Sequence, residues 1–407
     1  MKVYIPSNID LSKERHADKY YYIISTITCR RIFDKSIKKN DFVPISSKIL
    51  RNVINSRYKE RINNLLEMGI IEVDDSYLTG EWSKGYRVSP EYQNQKLKMV
   101  NIHDKRINQK VSEFNADKLK EIILPQHKYI YDCLQQVDIN EKEAIKYVNE
   151  NVYEYEKNSI HKIMINNLKR IKTNCSWEIG KTGRIYNNVT NFPRDLRKFL
   201  RWQKTPLQEK DISNSQPVFF NKLIDDYIQD HFHTTSPSTT LLENPIYVST
   251  ISETLLYKNL TTKGIFYDYL MERFIKGHEQ YDYLLDDLII NEPRDIFKKI
   301  FFGRVFYCED KWITNEREEF KILFPHVSEI VTYYKKDNYK NLANSLQKLE
   351  SDLIINHVVP RLSNQNIYCL TIHDSILTTP DKLETVKEII LNEFENQYGI
   401  VPTIKIK

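Results

Sequence analysis

Cysteine is sparse and dispersed. The five residues stand at positions 29, 133, 175, 308 and 369, an odd number with no Cys-x-x-Cys pair. That argues against a disulfide framework and a zinc site, and fits a reducing compartment. No apolar run approaches the roughly 20 residues that span a bilayer, so no membrane contact is expected. The opening "MKVYIPSNID" lacks the features of a secretion signal, and the expected location is cytoplasmic. Neither charge dominates: 60 Lys and Arg against 55 Asp and Glu leave a net charge of +5, which alone demands no acidic partner. Internal repeats and low-complexity tracts are lacking too. What remains is an ordinary globular composition, 41% hydrophobic and 28% charged over 407 residues, enough for two or three domains.

Along the chain, Ser46 and Ser47 can cap a helix through "KILRNVI". "SRYKERINNLLEMG" reads as a second helix, apolar at Ile62, Leu65 and Leu66 and stopped by Gly69. "IIEVDD" and "GYRVSP" flank a turn-rich stretch with Gly80 and Gly85, as in a β-hairpin. Two helices and a hairpin with a basic turn predict a winged helix-turn-helix over 1–95. Arg51, Arg57, Lys59 and Arg61 then lie on or near the second helix, and Lys84 and Arg87 on the wing. Such modules commonly insert a helix in the DNA major groove; the alternative is a helical packing module with a solvated basic face. Residues 96–115 are polar and aperiodic, and are expected to be a linker. Helical spacing covers 116–172. Strand and loop patterns begin at 176, with a strand turning into a helix at "LQEKDISNSQPVFFNKLI". Residues 221–340 read as mostly helical. The C-terminal part reads as helix (341–362), strand-turn-strand (367–379), helix (381–398) and strand (401–407).

Three constellations carry chemistry. Asp211 follows a short strand, and Asp374 sits at the turn of the later hairpin in "CLTIHDSILTTP". A lone Asp at such a place usually caps a turn. If the two strands are neighbours, however, the carboxylates meet and need cations; magnesium is the natural choice, since it binds through one or two carboxylates plus substrate phosphates. Second, "EPRDIFKKIFFGRVFY" spaces Arg294, Lys298, Phe302 and Phe306 four apart. On a helix these follow one face, suited to triphosphate at the cations and sugar and base at the rings; the alternative is an amphipathic core helix. Third, "KTGRIYNNVTNFPRDLRKFL" interleaves Lys181, Arg184, Arg194, Arg197 and Lys198 with Tyr186 and Phe192, a mixture that suits a nucleic-acid backbone or a solvated basic face.

In this order the elements resemble the polymerase core of the family-A DNA polymerases and the related bacteriophage-type single-subunit RNA polymerases. "DISNSQP" resembles the first palm motif, "RDIFKKIFFGRVF" the fingers helix, and "TIHDS" the second palm motif. "TGRIYNN" resembles the template-and-primer element that contains Thr182 and Arg184. "NSLQKLESDLIINHVV" stands where a palm helix offers a Gln, here Gln347, to the primer-template minor groove, and "GIVPTIKIK" resembles the last palm strand. The resemblance covers about 116–407. It implies an α+β right-hand polymerase, with an antiparallel palm sheet and helical fingers and thumb, preceded by the winged helix. The implied divisions are 116–175 thumb-like, 176–220 palm, 221–340 fingers and 341–407 palm. Asp211 and Asp374 would be the ligands of two Mg²⁺ ions, for which Mn²⁺ can substitute. Arg294 and Lys298 would grip the incoming nucleoside triphosphate, with Lys298 also protonating the leaving pyrophosphate. His373 would shape the hairpin near the primer end. The implied partners are primer-template DNA, with RNA as the alternative, and nucleoside triphosphates; no protein partner is signalled.

The chain departs from the family pattern at three places. Ser375 follows the His-Asp pair where DNA polymerases carry Glu, as in the RNA-polymerase branch. Gln216 stands for the Glu that gates the sugar. Phe306 and Tyr307 stand for Tyr and Gly. The expectation is relaxed sugar selection that favours DNA through the bulk of Gln216. No room is seen for a proofreading exonuclease or a promoter-recognition domain. The expected role is replication or priming of a phage, plasmid or other mobile element in a bacterial or phage-infected cell. The alternatives are an RNA polymerase or primase, a template-independent terminal transferase, and a non-catalytic DNA-binding replication initiator.

Overall fold

The structure is a computed structural model. It describes every residue except 34–36, 38–39, 76–82, 121, 173–174, 234–243, 276–292 and 407, and except the side chains of 33, 115, 118, 156, 233, 275 and 293. Gly80, Glu292 and much of the expected wing turn thus lie outside the described residues. Two compact units emerge. One holds Met1–Ile123, Gln135–Glu178 and Asn187–Lys204; the other holds Leu124–Leu134, Ile179–Tyr186 and Thr205–Lys407. No described helix is long and apolar enough to cross a membrane.

In the first unit, helix Ala17–Phe33 is followed by helices Ser47–Val53 and Tyr58–Glu67 and by a three-stranded antiparallel sheet. The Gly85–Val88 strand is central, between Val43–Pro44 and Ile71–Asp74. Gly69 stops the Tyr58–Glu67 helix at φ +68°, where only glycine is unstrained, and the Ile70 N–H returns to the Leu65 carbonyl at 3.0 Å. Ile24, Ile27, Val43, Ile54 and Leu65 form one buried core with Ile5, Ile102 and Ile107.

The last two residues correct an expectation. Residues 96–115 are not a linker. Leu97–Asn101 pairs with Lys2–Pro6, from Lys2↔Asn101 to Pro6↔Leu97, and helix Lys105–Leu119 follows. The strand's partner lies at the far end of the domain, which local periodicity cannot reveal. The expected thumb and palm boundaries shift as well. Helices Glu141–Asn151 and Tyr155–Lys169 belong to the first unit, as does Asn187–Lys204, whose strand Leu200–Trp202 pairs with Asp138–Ile139. Helix Pro125–Leu134 belongs to the second.

The second unit is built on a four-stranded antiparallel sheet ordered Leu370–Ile372, Ser375–Thr378, Gln208–Ile212, Ile404–Ile406. Its inner strands are nearly all buried, and helix Leu383–Tyr398 packs against them. Helix Ser215–Ile228 leaves the Gln208–Ile212 strand directly. Its buried rings feed an aromatic cluster: Phe219 meets Phe394 at 5.0 Å and Phe220 meets Phe306 at 5.3 Å. Burial of such rings dominates core energetics, and here it fixes the helices around the sheet.

Candidate active site

The sheet register brings the two predicted aspartates together. Asp211 pairs with Ser375 on one side and with Lys405 on the other. Asp374 immediately precedes Ser375, in the two-residue turn between Leu370–Ile372 and Ser375–Thr378. Both carboxylates therefore sit at one end of adjoining strands. His373, the first turn residue, has φ +54°. Two-residue hairpin turns demand positive φ there and usually take glycine; a histidine held in that region is the kind of strain that collects at functional sites. Its ring meets Tyr186 edge-on at 5.6 Å.

Past Asp211 the chain turns through Ser213 and Asn214 into helix Ser215–Ile228, with Asn214 at φ +55°. Gly264 packs on this turn: a Cβ there would stand 3.2 Å from that of Ser213. Arg294 is anchored to the same place, donating to Asn214 Oδ1 at 3.1 Å and to the Gly264 carbonyl at 2.8 Å, with Asp268 at 3.3 Å. The first predicted phosphate cation thus lies beside the Asp211 turn. Lys298, one helical turn on, is exposed.

The expected aromatic pair needs correction. Helix Pro293–Phe301 continues as a π-helical turn over Phe302–Phe306, closed by the Tyr307 N–H on the Phe302 carbonyl at 2.8 Å. That i→i+5 register advances the face by one residue. Phe302 consequently stacks on Tyr307, at 5.2 Å and 14°. Phe306 turns into the core against Phe301, at 4.7 Å, and is fully buried, so it is not available to a nucleotide.

Sequence reasoning missed Glu350. This glutamate lies on helix Lys340–Ser351 with its side chain 1% exposed. Arg184 holds Oε1, with Nε at 2.7 Å and Nη2 at 2.5 Å. Gln216 Nε2 donates to Oε2 at 2.5 Å, Ser215 Oγ does so at 3.5 Å, and the Tyr307 hydroxyl donates to Gln216 Oε1 at 3.0 Å. Burial and then the negative charge of Asp374 push the Glu350 carboxyl up to about 8, against the pull of Arg184 and Gln216. A signal did exist: Leu342, Leu346 and Glu350 share one stripe at steps of four, so Glu350 occupies a core position.

The Thr182-Gly183-Arg184 segment is seated on the same helix. Thr182 Oγ1 donates to Gln347 Oε1 at 3.4 Å, Ser351 Oγ donates to the Thr182 carbonyl, and a Cβ on Gly183 (φ +81°) would lie 3.0 Å from that hydroxyl. A groove of about 670 Å³ beside it is lined by Lys181, Thr182 and Lys348 among others.

The remaining nucleic-acid candidates, Arg57, Lys84, Arg194 and Arg197, lie in the other unit. Arg57 and Arg194 are exposed and Arg197 is half-buried. Lys84 pairs with Asp75 at 2.6 Å. Two neighbours depart from expectation: Arg61 is buried and donates to Glu60, and Arg87 pairs with Glu72 at 2.6 Å under the Phe42 ring. A groove of about 600 Å³ runs past the exposed Arg51 and Lys59.

Among the described residues, no three His, Cys, Asp or Glu side chains group as a metal centre. The donors fit a cation that takes only two protein carboxylates and completes its shell with water and phosphate. The effect of Asp374 on Glu350 marks a negative potential that a cation would relieve.

No protein-family model and no curated protein matches the chain. Among solved structures it is similar to the POL domain of Pol1 from M. smegmatis in complex with DNA primer-template and dNTP. The identity is 10%, the match covers 97% of this chain and 72% of that chain, and the TM-score is 0.39, too low for fold or function to rest on.

Proposed function

We propose that the protein is a template-directed nucleotidyltransferase of the family-A DNA polymerase type, which extends a DNA primer from nucleoside triphosphates. In this reading the Asp211–Asp374 end of the sheet is the catalytic palm, residues 1–95 are a winged-helix DNA-binding module, and the biological role is replication of a phage, plasmid or mobile element. The observation that carries it is the register that sets Asp211 opposite Ser375, beside Asp374. The six segments in family order support it from the sequence side.

Asp211 and Asp374 would hold the two Mg²⁺ ions, or Mn²⁺ in their place. Bound there, the metal supplies positive charge to the triphosphate and lowers the pKa of the primer hydroxyl. Arg294, already fixed by Asn214 and Gly264, presents its guanidinium to a phosphate without reorganising. Lys298 is free to follow the phosphates from its exposed position and to donate a proton to the departing pyrophosphate. Phe302, backed by Tyr307, offers the ring for the nucleotide, and Gln216 walls the sugar. Thr182 and Gln347 line the primer-template side, with Arg194 and Arg197 as backbone contacts of the other unit. Arg184 acts through Glu350 rather than on the duplex directly.

RNA synthesis is the second reading. It is favoured by Ser375, whose hydroxyl donates to Glu209 at 2.8 Å where a DNA polymerase would carry a third carboxylate. The test is single-nucleotide extension of a labelled primer on four templates that differ only in the next base, with Mg²⁺ and each dNTP or NTP. Incorporation that follows the template base supports the proposal, and the preferred sugar separates the two readings. Incorporation that ignores the base would leave a terminal transferase, and none at all would leave a DNA-binding protein.

A further inference from the structure

We propose that Glu350 is a positioning residue for Gln216, and that through Gln216 it sets which sugar the enzyme accepts. The inference rests on the polymerase reading above and goes beyond it, because the resemblance gives a role only to Gln347 on this helix and none to Glu350.

Gln216 is the second residue of helix Ser215–Ile228, five positions after Asp211. Its amide is held at both ends. Nε2 donates to Glu350 and Oε1 accepts from Tyr307. A primary amide has one donor side and one acceptor side. In the structure Glu350 Oε2 accepts from Gln216 Nε2 and the Tyr307 hydroxyl donates to Gln216 Oε1, so the amide is held from both sides.

Glu350 is itself immobile. Arg184 grips its other oxygen through two nitrogens, so the carboxyl cannot rotate away. Arg184 is fixed in turn by the Thr182–Gly183 backbone, which lies on Ser351 of the Glu350 helix. The bonds converge from four chain segments: the 182–184 loop, the start of the Gln216 helix, the Glu350 helix and the end of the π turn. That turn is what brings the Tyr307 hydroxyl, rather than the Phe306 ring, to Gln216. Gln216 is the half-exposed member of the chain and Glu350 the buried one. A side chain that faces the site is therefore stiffened by one that does not.

A fixed amide leaves fixed room beside the sugar, and deoxy- and ribonucleotides differ there by one hydroxyl. Without Glu350, Gln216 keeps only its Tyr307 bond, its amide can swing, and the room for a 2′-hydroxyl grows. Specificity lost in this way appears as relaxed discrimination rather than as lost chemistry.

The test measures kcat and KM for one matched dNTP and its NTP, with the full-length wild type, Glu350→Ala, Glu350→Gln and Tyr307→Phe. The wild type should favour the dNTP. Glu350→Ala should raise the NTP-to-dNTP ratio of kcat/KM by about tenfold or more, chiefly through a lower KM for the NTP, with kcat for the dNTP within about threefold. Glu350→Gln keeps the volume and one acceptor oxygen, and should return the ratio to within about threefold of wild type. Tyr307→Phe removes the other hold and should move the ratio the same way. Glu350→Ala leaves Arg184 without its buried acceptor; if that variant does not fold, Tyr307→Phe decides. A ratio unmoved in Tyr307→Phe and Glu350→Ala, a wild type indifferent to the sugar, or equal loss for both sugars would overturn the inference. A wild type that incorporates nothing would instead remove the polymerase reading itself.

Discussion

Glu350 should make stability fall as pH rises, against the usual behaviour of paired carboxylates. Its ordinary value is 4.5, and in the folded protein burial and Asp374 raise it to about 8. Between those values the folded state holds a proton that the unfolded state has released. The unfolded state then binds fewer protons, so the slope of unfolding free energy with pH is negative across this window. Stability conferred by the protonated form is complete below about 4.5 and is lost progressively up to about 8. At about 1.36 kcal/mol per pH unit, the full window corresponds to about 5 kcal/mol as an upper bound. Glu350→Gln is neutral at every pH and lacks this slope. Urea unfolding of both proteins from pH 5 to 9 brings out the effect, because titrations remote from residue 350 are common to both. Wild type should lose several kcal/mol relative to the variant by pH 8, then level off. Asp374→Asn removes the second cause and should narrow the window from its upper end. Parallel curves for wild type and Glu350→Gln, or a wild type that gains stability toward pH 8, would refute the reasoning.

Phe306→Ala should cost about 3–5 kcal/mol in denaturant unfolding, since the ring is fully buried among Phe220, Phe301 and Phe320; a cost near zero would mean that the ring faces the site after all. Lys335→Met should cost about 1–3 kcal/mol, because the buried ammonium donates to the Val305 and Cys308 carbonyls at 2.8 and 3.2 Å, satisfying the end of the π turn. Arg57→Ala should weaken duplex binding about equally across sequences and lower the salt slope by about one, as measured by fluorescence anisotropy; unchanged binding would count against the winged-helix assignment.

The sequence made the local parts of the site legible and left its long-range parts hidden. Asp211 and His373-Asp374 stand out because charged residues interrupt apolar strand patterns, and both proved to be at strand ends in one sheet. The helices after them follow from ordinary apolar spacing. The π turn was not legible, because four-residue spacing assumes a regular helix; one inserted residue exchanged Phe306 for Tyr307. Glu350 is not legible in the sequence because a glutamate in an amphipathic helix normally faces solvent, even on the stripe of Leu342 and Leu346. The expected linker failed for a different reason: Leu97–Asn101 is stabilised by Lys2–Pro6, and pairing at that distance leaves no periodic trace. Adjacency in sequence groups Arg194 and Arg197 with the expected palm, whereas their segment packs with the other unit.

The central claim is that Asp211 and Asp374 act together on one triphosphate. Asp374→Ala, assayed beside wild type for primer extension in Mg²⁺ and in Mn²⁺, tests it most directly. Loss of incorporation by several orders of magnitude in either metal, with unfolding behaviour preserved, is the predicted result. Extension at wild-type rates by the substituted protein would contradict it.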